Sequence, residues 1–166
     1  MSASPNSKIA IIGQAPGSIV HQTGIPWDDK SGERLRDWLG TSKNEFYNKD
    51  LFALVPMGFC YPGKGKNGDL PPRPECAPKW HQPVLSRIND LQLIILIGSY
   101  AQKYYLQDAV KTSLTDTVKS YQEYLPKYLP LPHPSPRNNI WLKKNPWFNE
   151  ILIPELRGKI KSILSR

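Results

Sequence analysis

With 166 residues, the chain has the length of one domain that buries about two-thirds of its unfolded surface. Its 39% apolar and 22% charged composition excludes charge-driven disorder, and two cysteines exclude a disulfide-dense scaffold. Lys and Arg outnumber Asp and Glu by 22 to 14, a net charge of +8, and no aliphatic run approaches the ~18 residues of a membrane helix.

The first apolar run, Lys8 to Ile12, is too short for a helix and reads as a strand buried on both faces. A loop follows to Asp29. Ser31 is the expected N-cap of a helix from Gly32 to Leu39, ended by Gly40. Leu51 to Val55 reads as a second strand and the Gly-, Pro- and Lys-rich stretch Gly58 to Pro74 as a long loop. Pro78 to Asn89 is predicted helical, Leu91 to Ile97 a central strand, and Tyr100 to Gln107 the helix after it. A weaker helix is expected over Asp116 to Tyr124, then a short strand from Lys127 to Leu131 interrupted by Pro130. From Asn145, apolar residues at helical spacing predict a C-terminal helix broken near Pro154.

Strands alternating with helices imply an α/β sandwich around a mostly parallel sheet, whose ligands sit at the carboxyl ends of the strands. Those ends carry Gly13-Gln14-Ala15-Pro16-Gly17 after the first strand and His133-Pro134-Ser135-Pro136-Arg137-Asn138 after the last. Seventeen prolines, about twice the usual share, cluster in the loops and stiffen them. From Arg137 to Arg166, seven basic residues stand against two acidic ones, a balance of +5. That surface either attracts a polyanion such as nucleic acid or is a solvated lysine-rich helix face. The opening MSASPNSK has no apolar core, so a signal peptide is not expected, and a cytoplasmic location is.

Several chemistries lack their residues. GQAPG has neither the GxGxxG spacing nor a Walker Lys-Ser/Thr, which argues against a nucleotide cofactor. His21, His81 and His133 stand at no metal-site interval, and no GxSxG elbow is present.

Taken in order, however, GQAPG, six residues, then GIPWDDKSG resemble the GEAPG-x6-GRPF-x-G-x-A-G pattern of the iron–sulfur-type uracil-DNA glycosylases. HPSPRN is similar to the second motif of the single-strand-selective monofunctional branch of that superfamily, and LQLIILIGSYAQKYYL to its third strand and following helix. The resemblance implies one domain over residues 1–166, a three-layer α/β/α sandwich with a short, mostly parallel four-stranded sheet. It implies hydrolysis of the N-glycosidic bond of a damaged base in DNA, uracil first among the candidates, by a monomeric base-flipping enzyme. His133 would donate a hydrogen bond to the departing base. Trp27 would stack on that base, and Gly13, Gln14, Ala15, Pro16 and Gly17 would line the sugar and water. Pro134, Ser135 and Pro136 would meet phosphates, Arg137 and Asn138 would flank or enter the duplex, and Lys143 and Lys144 extend the basic surface. Each also has a plainer role: Trp27 as core, His133 as a loop hydrogen-bonder, Ser135 as a cap.

The departures from the family pattern are specific. Ala15 stands where the family-one pattern has its water-orienting Asp, and Gln14 where the iron–sulfur type has Glu. Asp28 and Asp29, the nearest carboxylates, are either the base or ordinary loop residues. Aligning on Cys60 places Pro56 at the site of the uracil-reading Asn, leaving the backbone around Met57, Gly58 and Phe59 to read the base. Cys60 and Cys76 match two of four cluster ligands, so no iron–sulfur cluster, no metal and no other cofactor is expected. The alternatives are a DNA-binding protein of the same fold with weak or no glycosylase activity, and a small-molecule hydrolase or nucleotide binder using the same pocket.

Overall fold

A computed structural model describes residues 1–166. The frame is a four-stranded sheet of β1 (Ile9–Gly13), β2 (Phe52–Pro56), β5 (Leu93–Ile97) and β6 (Tyr128–Leu131), in the order β2-β1-β5-β6. Every pairing in it is parallel, so the expected mostly parallel sheet is wholly so. Parallel strands need crossovers, and these place helices on both faces, giving the three-layer α/β/α sandwich.

Alternation along the strands sorts the core into two. Ile9, Ile11, Phe52, Leu54, Leu93, Ile95, Leu129 and Leu131 face one side. There they meet α2 (Lys30–Leu39) and α8 (Ile153–Leu164). Ala10, Ile12, Ala53, Val55, Ile94 and Leu96 face the other, against α4 (Cys76–Leu85) and α5 (Gly98–Leu106). Burial on both faces is why β1 and β5 are unbroken aliphatic runs. Pro130 is tolerated because β6 is an edge strand, where a missing N–H costs little. The opposite edge is covered by the N-terminus, Ser2 exchanging backbone hydrogen bonds with Leu54.

The differences from the predicted elements have local causes. The N-cap of α2 is Asp29, not Ser31: its carboxylate accepts from the Gly32 N–H at 2.8 Å and the helix starts at Lys30. The loop before it contains a short helix, α1 (Ser18–Thr23), ended by Gly24 in the left-handed region. A capping box between Ser42 and Glu45 starts α3 (Lys43–Tyr47). The loop from Gly58 to Pro74 holds an antiparallel hairpin, β3 (Lys64–Gly65) and β4 (Gly68–Asp69). α4 runs earlier than expected, from Cys76 instead of Pro78 and to Leu85 instead of Asn89. Ser113 caps α6 (Leu114–Lys119), and a 3-10 turn at Tyr121–Tyr124 replaces the end of the helix expected there. Before α8, the chain forms α7 (Asn139–Lys144) and a π-helical turn at Phe148–Leu152. Pro154 lies in the first turn of α8, where its absent N–H is harmless, so the irregularity precedes it.

Candidate active site

The loops after β1, β2 and β6 and the β3–β4 hairpin enclose a cleft of about 640 Å³ at the carboxyl edge of the sheet. Of the residues singled out from sequence, Gly13, Gln14, Ala15, Pro16, Gly17, Trp27, Asp29, Phe59, His133, Ser135, Arg137 and Asn138 line it. Asp28, Gly58, Pro134, Pro136, Lys143 and Lys144 do not.

Trp27 organises the first wall. Its φ of 59° places a bulky residue in the left-handed region, a conformation that persists only when the surroundings enforce it. Two glycines make room for it. A Cβ on Gly13 would lie 2.8 Å from the Trp27 ring, and one on Gly32 only 1.7 Å from the Trp27 carbonyl oxygen. The first and last glycines of the combined GQAPG…GIPWDDKSG stretch therefore serve one tryptophan. Arg36, buried on α2, donates to that same carbonyl at 3.2 Å and lies over the Phe46 and Tyr47 rings. Tyr47 in turn donates to the Pro26 carbonyl at 2.8 Å.

The two neighbouring carboxylates diverge. Asp29 lines the cleft while one of its oxygens caps α2. Asp28 turns to Lys43, 3.7 Å away, on the outside of the loop.

The floor is built on the backbone that follows β2. The Met57 N–H donates to Gly13 O at 2.8 Å and the Gly58 N–H to Gln14 O at 2.9 Å. Both donors are spent on extending the β1–β2 pairing, so they are not free to read a base. Gly58 lies under Pro72 and Arg73, where a Cβ would come within 3.1 Å of each. The Pro56 carbonyl is held from behind by His81, 2.8 Å away on α4. Val55, Pro56 and Phe59 line the cleft along this floor.

His133 stands opposite, its ring centroid 5.9 Å from that of Trp27. Burial holds its pKa below the usual histidine value, partly countered by the negative charge of Asp29, so the ring is neutral at pH 7. The Ser135 N–H donates to Nδ1 at 3.2 Å. A neutral ring that accepts at Nδ1 carries its proton on Nε2, which leaves a hydrogen-bond donor uncommitted within the protein.

The loop around it is tied down at several points. Asn138 donates to the His133 carbonyl at 2.7 Å, and Arg34 from α2 donates to Ser135 O at 3.2 Å and to Asn139 at 2.8 Å. Arg137 reaches across the mouth, where its guanidinium donates to Asn67 O at 3.1 Å and rests against Gly68. Pro134 is buried, Pro136 opens the 3-10 turn Pro136–Asn138, and Lys143 and Lys144 are exposed on α7.

Four contributors escaped the sequence reading: Arg34, Arg36, His81 and Asp69. The hairpin places Asp69 on the cleft, hydrogen-bonded by Tyr61 at 3.3 Å and lying over Gly17. The Gly- and Asn-rich stretch KGKNGD, whose Lys66-Asn67 forms the two-residue loop, is the turn signal that could have found that hairpin. Nothing local marks His81, whose partners come from distant segments. Cys60 and Cys76 are free thiols, and no group of three or more His, Cys, Asp or Glu side chains is arranged to hold a metal ion.

Fold and site together define an α/β protein whose cleft offers a planar aromatic wall and a neutral imidazole donor at the carboxyl edge of a parallel sheet. A family model, that of the uracil DNA glycosylase superfamily, matches residues 2–157, and the chain belongs to that superfamily. Membership makes it a glycosylase-like protein of DNA repair and makes DNA its partner class.

Proposed function

We propose that the chain hydrolyses the N-glycosidic bond of a damaged base in DNA, with uracil the leading substrate. The observation that carries this reading is His133: half-buried, neutral, and fixed by Ser135 in the tautomer whose Nε2–H is free to donate. As the glycosidic bond stretches, negative charge collects on the leaving base, and a positioned donor stabilises that charge more than it stabilises the ground state. The neutral form suits a donor to a weakly basic oxygen, since the proton need not be given up. Trp27 provides the stacking surface for a base turned out of the helix. Gly13, Ala15, Pro16 and Gly17 form the wall beside the sugar. Gln14 and Asp29 are the groups available to orient water, and water attacking a sugar that is already electrophilic needs only a weak one.

A second reading draws on Ala15 and Pro56, which stand where the family's water-orienting Asp and base-reading Asn are expected. On that reading the protein binds DNA in this fold with weak or no cleavage. A panel of duplexes and single strands carrying uracil, hypoxanthine or xanthine separates the two. Excision of any of these bases above background supports the glycosylase. Binding to every strand without excision supports the second reading.

A further inference from the structure

Of all the Phe, Trp and Tyr side chains, only Trp80, Tyr100 and Tyr104 are exposed, the first on α4 and the other two on α5. No exposed large aliphatic residue lies on either helix, and neither helix contains an Asp or a Glu. Their lysines sit among the rings. Lys79 Nζ lies 5.3 Å from the centroid of the Trp80 ring. Lys103 and Tyr104 stand three and four residues beyond Tyr100, so all three share the outer face of α5, while Ala101, Gln102 and Leu106 are buried. Neither lysine belongs to an ion pair.

This face adjoins the cleft at two points. α5 begins at Gly98, where a Cβ would lie 4.0 Å from that of His133. Phe59 lines the cleft, its ring centroid is 6.0 Å from that of His81, and His81 is in turn 6.0 Å from Tyr104. Aromatic packing thus runs from the cleft floor through α4 to the outer face of α5.

The composition of the face selects its partner. Lysines with no acidic neighbour on their helices attract phosphates, and exposed rings offer flat surfaces to unstacked bases. A single strand presents both. In a duplex the base faces already stack on one another, so the rings would gain nothing there. A membrane surface would be met by aliphatic side chains beside the aromatic ones, and these helices expose none.

We propose that the α4–α5 face is a second nucleic-acid surface, which holds single-stranded DNA with its bases on Trp80, Tyr100 and Tyr104 and its phosphates on Lys79 and Lys103. It goes beyond cleavage in the cleft: a strand passing His133 reaches this face at the start of α5, whether or not one of its bases is cut.

The test uses the full chain, a labelled undamaged oligothymidylate and the same strand annealed to its complement, with binding read by fluorescence anisotropy. Trp80→Ala and Tyr104→Ala should each weaken single-strand binding by about tenfold and duplex binding by less than about twofold. Lys79→Gln should lower the salt slope of single-strand binding by about one. Trp80→Phe keeps a ring and should keep the affinity, while losing the share of tryptophan quenching that the wild type shows as bases stack on Trp80. Ile151→Ala, altering an exposed isoleucine on the turn before α8, should change nothing.

Unchanged single-strand affinity in Trp80→Ala and Tyr104→Ala overturns the proposal, as does an equal loss on strand and duplex. Quenching in Trp80→Phe equal to that of the wild type overturns it too. So does self-association of the wild type, or its binding to anionic lipid vesicles, that Trp80→Ala abolishes, since a second copy or a membrane would then be what covers the rings. A wild type that binds no undamaged single strand overturns it whatever happens in the cleft. Because the probes carry no damaged base, none of these outcomes touches the glycosylase reading, which excision alone decides.

Discussion

His81 and His133 are both withdrawn from water, and in both burial lowers the pKa. They differ in what their ring nitrogens meet. At His81, Nδ1 lies 2.6 Å from the Tyr105 hydroxyl and Nε2 lies 2.8 Å from the Pro56 carbonyl. A carbonyl can only accept, so Nε2 carries the proton. The phenol, its pKa pushed up by burial, donates to Nδ1. Both nitrogens are satisfied inside the protein. At His133 the Ser135 N–H satisfies Nδ1, and Nε2–H has no protein partner. The same residue type, in the same protonation state, is closed in one place and open in the other. The open donor is where substrate chemistry can occur, and the closed ring is what holds the cleft floor in place.

The largest expected effect tests the open ring. His133→Ala should reduce single-turnover excision by about 10²–10³, the cost of removing one donor to transition-state charge, with DNA affinity nearly unchanged. His81→Ala should do the reverse. It leaves the Tyr105 hydroxyl and the Pro56 carbonyl without a partner in a buried site, and should lower unfolding free energy by about 2–4 kcal/mol in denaturant titrations. The molecules that remain folded should cleave at a rate close to wild type. Equal losses of rate in the two variants would erase the distinction between open and closed.

The contrast also explains what could be read in the sequence. The four strands were legible because fully buried strands are short aliphatic runs, as KIAII and LIILI are, and the two motif loops because they sit at strand ends. Trp27, His133 and Asp29 could be placed on one cleft from those motifs. The features that set their chemistry could not. The cap formed by Asp29, the left-handed Trp27 and the tie from Ser135 to Nδ1 are matters of backbone geometry. His81 reached Tyr105 and Pro56 across segments 24 and 25 residues away, a relation no local pattern carries. That sheet extension claims the N–H groups of Met57 and Gly58 is likewise a matter of geometry that no local pattern carries.

A smaller effect joins the two rings. Each has a folded-state pKa below its unfolded value, so below about pH 6.5 the unfolded chain binds more protons than the folded one at both sites. Their stabilisation is thus fully present above that pH and is lost as the pH falls through and below it. Chemical denaturation across pH 5 to 8 should show stability declining on the acid side, by at most about 1.4 kcal/mol per unit of pH for each ring. His133→Ala should flatten part of that slope and His81→Ala another part. A slope unchanged in both variants would assign the acid sensitivity to other groups.

The smallest effect is expected from Asp29→Asn, and it separates two roles for a carboxylate that lines the cleft. Asparagine is as good an N-cap as aspartate, and its side-chain oxygen can still accept from the Gly32 N–H, so stability should move by less than about 0.5 kcal/mol. In a dissociative cleavage, water adds after most of the bond to the base has broken, and orienting it demands little basicity. The rate at neutral pH should therefore fall by less than about tenfold, far less than in His133→Ala. The charge nevertheless acts on His133, because a nearby carboxylate favours the protonated imidazole. Removing it leaves burial to act alone and lowers the His133 pKa further. Since cleavage needs the neutral ring, the acid limb of the pH–rate profile should shift to lower pH in Asp29→Asn while its plateau barely changes. Had Asp29 been the general base, the substitution would instead collapse the plateau. The direction in which the limb moves thus decides whether Asp29 acts on water or on the histidine.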